Sequence, residues 1–177
     1  NPETVTPLIT PRTRAVICQH TFGIPSDAKA LRELCDTHKI LLIEDCAHVL
    51  PDEIGPGEIG KFSSTMMLSF GRDKAISGVA GGAMLVRSPA LKTALLSFEN
   101  AAVDLSLREV MTLLEYGSRM RMIIQPLIGL GLHKPVLAVL NRIGLFAPIL
   151  TEQEREGSMS PVLRKIPNAC ALLALHS

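Results

Sequence analysis

Ala15-Val16-Ile17-Cys18, the stretch from Ser26 to Cys35, and Ile40-Leu41-Leu42-Ile43-Glu44-Asp45 decide the fold by their order. The first is a continuous apolar run, the pattern of a strand buried on both faces. After the turn-like Gly23-Ile24-Pro25, Ser26 suits a helix N-cap, and Asp27 places a carboxylate at the positive end of the helix dipole. Ala30, Leu31, Leu34 and Cys35 then line one helical face. Ile40 to Ile43 is a second buried strand that ends at Glu44-Asp45. Strand, helix, strand is a βαβ unit, which implies parallel strands and a right-handed crossover.

Working outward, a Gly/Pro/Asp-rich loop spans Pro51 to Gly60. Met66-Met67-Leu68-Ser69-Phe70 reads as a third strand leading into Gly71-Arg72-Asp73-Lys74. Gly82-Ala83-Met84-Leu85-Val86 is a fourth, close enough to the third for an antiparallel return. The second half reads as helical: Leu91 to Asn100, Leu107 to Met122, Leu132 to Ile143 with a break at Pro135, and Ile166 to Leu175 as the start of a last helix. Thr151 to Gly157 is a charged linker.

The 177 residues match a one-domain length, and 47% hydrophobic against 20% charged residues excludes intrinsic disorder. With 18 Lys+Arg against 17 Asp+Glu and no dense basic run, there is no electrostatic footprint for nucleic acid. An aromatic content of 3% leaves little for base stacking. Cys18, Cys35, Cys46 and Cys170 form no CxxC pair and read as small buried apolar residues of a reduced, cytoplasmic protein. The chain opens on Asn-Pro-Glu-Thr without an initiator Met or signal-peptide pattern, and it closes inside an apolar helical pattern. Both ends therefore read as cut points.

From Met122 to Leu150 the chain is largely apolar, but Lys134 and Arg142 interrupt the run and Pro126, Pro135 and Pro148 divide it. A spanning helix needs roughly 20 predominantly apolar residues. The region is read as a buried or interfacial helical hairpin, with peripheral membrane contact as its second use.

Open α/β sheets bind ligands beyond the carboxyl ends of their strands. His20, Asp45, His48, Ser69 and Lys74 all fall there. Taken singly, each has an ordinary structural role: a cap, a turn hydroxyl, a packed imidazole, a solvated amine. Taken functionally, Asp45 is a carboxylate placed to pair with a cation, Ser69 a phosphate ligand, and Lys74 an amine that desolvation or a neighbouring cation can make nucleophilic.

Taken together, Ile43-Glu44-Asp45-Cys46-Ala47-His48, Ser69-Phe70-Gly71-Arg72-Asp73-Lys74 and Gly81-Gly82 resemble the sugar aminotransferases of the DegT/DnrJ/EryC1/StrS family. Ile9 to Val16, the His20-Thr21-Phe22-Gly23-Ile24-Pro25 turn and the helix from Asp27 extend the resemblance, which runs from Thr6 to Val86 and resumes over Ile166 to Leu175. It implies the large domain of a PLP-dependent transferase (aspartate aminotransferase-like): α/β, a mostly parallel sheet with flanking helices, followed by a helical region. It also implies pyridoxal 5'-phosphate as cofactor. Asp45 would pair with the pyridinium nitrogen, His48 would sit beside the ring and its 3-oxygen, Ser69 would bind the phosphate, and Lys74 would form the Schiff base and move the proton. Lys74 argues against the family's dehydratase branch, which carries His at that position.

The resemblance further implies a nucleotide-sugar substrate, an amino-acid donor (glutamate) and a homodimer, in a cytoplasmic pathway of polysaccharide biosynthesis. The resulting division is 1–97, a cofactor-binding large-domain fragment; 98–150, a hydrophobic helical region; and 151–177, a linker and the start of a truncated helix. Two features depart from the family: Ala80 stands where an acidic residue often precedes the paired glycines, and 101–150 is unusually hydrophobic. The family's N-terminal phosphate loop and ring-stacking aromatic, and its C-terminal small domain, are missing, so the 177 residues alone are expected to be inactive. The alternative is a non-catalytic α/β remnant whose apolar 122–150 region docks a partner or a membrane face. A nucleotide-binding domain is weaker, since no GxGxxG or Walker sequence follows a predicted strand.

Overall fold

The computed structural model describes residues 1–51, 59–146, 156–158 and 162–177. Most of the expected Pro51–Gly60 loop and 151–157 linker, together with Pro148, lies outside the described residues. After a short helix α1 (Pro2–Val5), the expected βαβ unit is present as β1 (Ala15–Gln19), α2 (Ala28–His38) and β2 (Leu41–Asp45). β3 (Thr65–Ser69) and β4 (Gly82–Val86) complete a four-stranded sheet of order β1-β2-β3-β4. β1, β2 and β3 are parallel, and β4 returns antiparallel to β3.

α2 covers one face of the sheet. Ala28, Leu31 and Cys35 pack with Cys18 and Leu42, and Val5, Val16, Leu34, Ile40 and Phe62 close around them. Two sequence expectations change here. Asp27, not Ser26, is the N-cap: its side chain accepts the Ala30 N–H, while the Ser26 hydroxyl donates to the Gln19 carbonyl. β1 is not buried on both faces, because Ile17 is 66% exposed and only Cys18 is buried. The reason is that β1 lies at the edge of the described sheet and α2 covers one side alone.

α3 (Pro89–Ala101) follows β4, and then the chain makes a helical excursion. Val103 N–H donates to the Leu163 carbonyl and Lys165 N–H to the Val103 carbonyl, so the excursion leaves and returns at one point. Arg164 reinforces this base through Glu109, at 2.7 Å. The expected single helix from Leu107 to Met122 is divided into α4 (Leu107–Leu114), α5 (Tyr116–Arg119) and a π turn at Met120–Ile124. Ser106 and Glu109 start α4 with a capping box, and poorly helix-forming Gly117 follows its end. α6 (His133–Arg142) is not broken at Pro135, which occupies the first turn, where a missing N–H costs no intrahelical bond.

The last helix, α7 (Asn168–His176), begins after Pro167 rather than at Ile166, since the residue before proline is disfavoured in helical backbone. α7 packs back against the glycine segment before β4. A Cβ on Gly78 would meet the Cys170 carbonyl oxygen at 2.6 Å, and one on Gly81 would meet Ile166 at 2.6 Å. This contact returns the 166–176 segment to the α/β part of the chain.

Candidate active site

β2 ends with two acidic residues, and strand geometry sends neighbours to opposite faces. Glu44 shares the face of Leu42, which packs under α2, whereas Asp45 shares the face of Ile43. The parallel register aligns Asp45 with Met67. Ser69, two residues further along β3, therefore lies on the Asp45 face at the carboxyl edge of the sheet. Gly82 is paired with Ser69, and a Cβ there would come within 2.5 Å of the Leu68 carbonyl oxygen, so the close approach of β4 requires glycine.

The turn after β2 fixes Asp45. Its Oδ1 accepts the Ala47 N–H at 2.9 Å, and the side chain is buried. Cys46 N–H donates to the Met67 carbonyl, and His20 N–H to the Asp45 carbonyl, which ties the loops after β1 and β2 to the sheet. His48 lies in this turn with Phe22 stacked on it, ring centroids 5.1 Å apart and planes inclined by 11°. His48 Nδ1 is buried and has no hydrogen-bond partner among the described residues. Phe22 adopts φ 53°, uncommon for a bulky side chain, and it remains 81% exposed. A strained aromatic held over an imidazole at a sheet end is a feature the sequence did not signal.

Lys74 lies in the loop after β3. Its N–H donates to the Gly71 carbonyl, and Gly78 N–H donates to the Phe70 carbonyl, closing the loop. The Lys74 side chain folds back over Gly71, where a Cβ would meet Cγ at 3.4 Å. Only 15% of that side chain is exposed, and its Nζ is 3.8 Å from Asp73 Oδ2. This is not an ordinary solvated surface lysine.

His20 takes a different place from the other four candidates. It is fully buried, with Nε2 3.1 Å from Glu44 Oε2, and the Ser26 N–H donates to its Nδ1. An accepting Nδ1 leaves the proton on Nε2, which donates to Glu44. His20 is thus a structural partner, not an open ligand. Glu44 is the residue sequence reasoning overlooked: beyond His20, its carboxylate accepts the N–H groups of Gly60, Phe62 and Ser63 at 2.7, 3.1 and 2.7 Å. Burial alone would push the Glu44 carboxyl up, but the hydrogen bonds from Ser63, Gly60 and His20 outweigh it and hold the group below its usual value. The available signal was a carboxylate interrupting the apolar run at the same parity as Leu42.

All four cysteines are buried free thiols. Burial, followed by the charges of Glu44 and Asp45, pushes the Cys46 thiol up to about 11, so it is a packing residue rather than a nucleophile.

The donor set fits pyridoxal 5'-phosphate. It comprises a buried carboxylate, a hydroxyl on the same sheet face, a buried imidazole nitrogen without a partner among the described residues and a largely enclosed amine. The fold is α/β, a mostly parallel four-stranded sheet with flanking helices, and its similarity to solved aminotransferases places it in the PLP-dependent transferase class. The DegT/DnrJ/EryC1/StrS aminotransferase family model matches residues 1–132, and the chain belongs to that family. The match continues past Val86 into the helical region.

The chain is 32% identical over 112 residues to GDP-perosamine synthase of Vibrio cholerae, covering 63% of this chain and 30% of that protein. It is 37% identical over 101 residues to dTDP-3-amino-3,4,6-trideoxy-alpha-D-glucose transaminase of Streptomyces venezuelae, covering 56% and 27% respectively. The structure of DesI with its TDP-sugar product is similar at 31% identity and a TM-score of 0.52, over 57% of this chain and 26% of that one. The chain thus spans under a third of the length of these relatives.

Proposed function

We propose that the full-length protein is a PLP-dependent aminotransferase that transfers an amino group from glutamate to a nucleotide-linked keto-sugar. The observation that carries this reading is the placement of Asp45 and Ser69 on one sheet face, with the enclosed Lys74 on the loop that follows Ser69. The sugar class is supported by the names of the relatives, a GDP-perosamine synthase and a dTDP-amino-sugar transaminase.

Pyridoxal 5'-phosphate, when bound, supplies an electron sink for the substrate carbon. The Asp45 carboxylate, oriented by the Ala47 N–H, offers a fixed anion to the ring nitrogen. His48 would offer its Nδ1 to the cofactor, and the Ser69 hydroxyl would bind its phosphate. Lys74 Nζ would hold the cofactor and would be the group that moves a proton to and from the substrate carbon. The proposed division is 1–97 for the cofactor-binding part, 98–150 for the helical region, and 151–177 for a linker and the start of a last helix, with its first boundary falling inside α3. A second copy of the full chain completes the site.

Borohydride reduction of the full-length protein with bound pyridoxal phosphate, followed by peptide mapping, tests this. The expected result is one phosphopyridoxyl label, at Lys74, absent from Lys74→Ala. No adduct, or an adduct on another lysine, overturns the reading.

A specific surface favours a second property of the same protein, contact with an anionic membrane surface. Among the described residues no helix is long and apolar enough to cross a membrane. Nevertheless Met122, Leu130 and Ile143 are 69%, 70% and 63% exposed in the excursion. The charged residues over 116–146 are Arg119, Arg121, Lys134 and Arg142, with no carboxylate among them. Arg119 is paired with Glu115, but exposed apolar groups beside Arg121, Lys134 and Arg142 suit shallow insertion between anionic headgroups. Full-length protein is expected to sediment with phosphatidylserine-containing vesicles, less with pure phosphatidylcholine, and less again after Arg121→Glu with Lys134→Glu. Equal sedimentation with both vesicle types, or none, discards the surface.

A further inference from the structure

The helical excursion touches the lysine loop at one defined contact. The Arg72 guanidinium carbon lies 3.5 Å from the centroid of the Tyr116 ring. Arg72 stands two residues before Lys74, within the loop closed by the Lys74–Gly71 and Gly78–Phe70 backbone bonds. Tyr116 is itself held firmly. Its ring meets the fully buried Phe146 edge-on, with centroids 5.5 Å apart and planes at 90°. Arg119, one turn on, donates to the Leu145 carbonyl and pairs with Glu115, which fixes the backbone on either side of Tyr116. The partner of the cation is therefore an immobilised aromatic face, and a cation over such a face is attracted by the ring quadrupole.

We infer that Tyr116 is a positioning residue for Lys74, acting through Arg72: the excursion holds the lysine loop in its enclosed shape by stacking a fixed ring on it. This rests on reading Lys74 as the reactive amine, and it adds a role for a region that otherwise has none at the site. At its far end the loop is packed on α7, where Gly78 lies against Cys170 and Gly81 against Ile166, and the ring contact acts at its near end, on Arg72. Val79, at its far end, adopts φ 70°, a conformation unfavourable for a β-branched residue, so a loop freed from Arg72 has a reason to relax. Relaxation would lift Lys74 from its position over Gly71.

The test uses the full-length protein without cofactor. It compares wild type with Tyr116→Phe, which keeps the ring face, Tyr116→Leu, which keeps apolar bulk alone, and Arg72→Gln. Two readouts are needed: amide hydrogen exchange of the peptide covering 70–78, and the initial rate of Lys74 acetylation by acetic anhydride, quantified by mass spectrometry against Lys92. Tyr116→Leu and Arg72→Gln are each expected to speed both processes by about five- to tenfold, near the factor expected from losing one partly buried cation–ring contact. The double variant is expected to match Arg72→Gln alone, because the ring contact is already lost in that variant. Tyr116→Phe is expected to behave as wild type, with Lys92 labelling and α2 exchange unchanged in every variant.

Wild-type Lys74 kinetics in Tyr116→Leu would overturn the inference. So would a Tyr116→Phe variant as perturbed as Tyr116→Leu, or an equal rise of exchange in α2, which would signal general loosening. Neither readout uses pyridoxal phosphate, so failure of Lys74 to bind the cofactor leaves this result standing or falling separately.

Discussion

Full-length protein carrying Lys74→Ala is expected to lose amino transfer by at least about 10²–10⁴-fold, the range that a positioned proton-transfer group contributes. The loss extends further because the same amine also holds the cofactor. Lys74→Arg is the informative companion. It keeps the cation and most of the chain length, but guanidinium does not release its proton, so it is expected to be as inactive as Lys74→Ala. Single-turnover amino transfer monitored by the cofactor absorbance, alongside the cofactor Kd of each variant, separates lost binding from lost chemistry. A Lys74→Arg variant within tenfold of wild type would remove Lys74 from the chemical step.

Glu44→Ala is expected to have the largest effect on stability. Its carboxylate accepts three backbone N–H groups and the His20 side chain in a fully buried position. Truncation leaves those donors without an acceptor, and stranded buried partners of this kind cost about 3–5 kcal/mol. Glu44→Gln retains one carbonyl oxygen and is expected to cost less. The pH dependence follows from the lowered folded-state value, set by burial working against stronger hydrogen bonds. The contribution of Glu44 is fully present above its unfolded value of 4.5 and is lost as pH falls through the lower folded value. Urea midpoints of the full-length protein are thus expected to be flat with respect to this group above pH 5 and to decline below pH 4.5. Glu44→Gln is expected to flatten that decline. An acid limb of the same steepness in both proteins would show that Glu44 does not supply it.

These two residues differ in how far they could be read in advance. Lys74 stands out as a candidate in the sequence because Ser69, Gly71 and the paired glycines lie within a dozen residues of it, and such local spacing survives in a linear string. Glu44 was visible only as the neighbour of Asp45. Its hydrogen bonds reach 16 to 24 residues away, to Gly60, Phe62, Ser63 and His20, and no local period encodes them. His20 stays undecided in the sequence for the same reason: a histidine after a strand is equally consistent with an open ligand and with a buried brace, and only the position of Glu44 separates them. The helical region shows the converse error. Helical spacing from Leu107 is evident in the sequence, yet the division at Glu115 and the continuity through Pro135 depend on where each residue falls in a turn.

The sequence by itself determined the βαβ order, the antiparallel return of β4 and the run of chemical side chains at the carboxyl ends of β2 and β3. Alternation and turn chemistry are short-range properties, and burial of one sheet face enforces them. Tertiary structure alone decided which of two adjacent carboxylates faces the core, which aromatic lies on His48, and which ring holds Arg72. Those outcomes come from segments far apart in the chain meeting on a common face. The energy lies in desolvated contacts that exist only after the sheet and the excursion have packed.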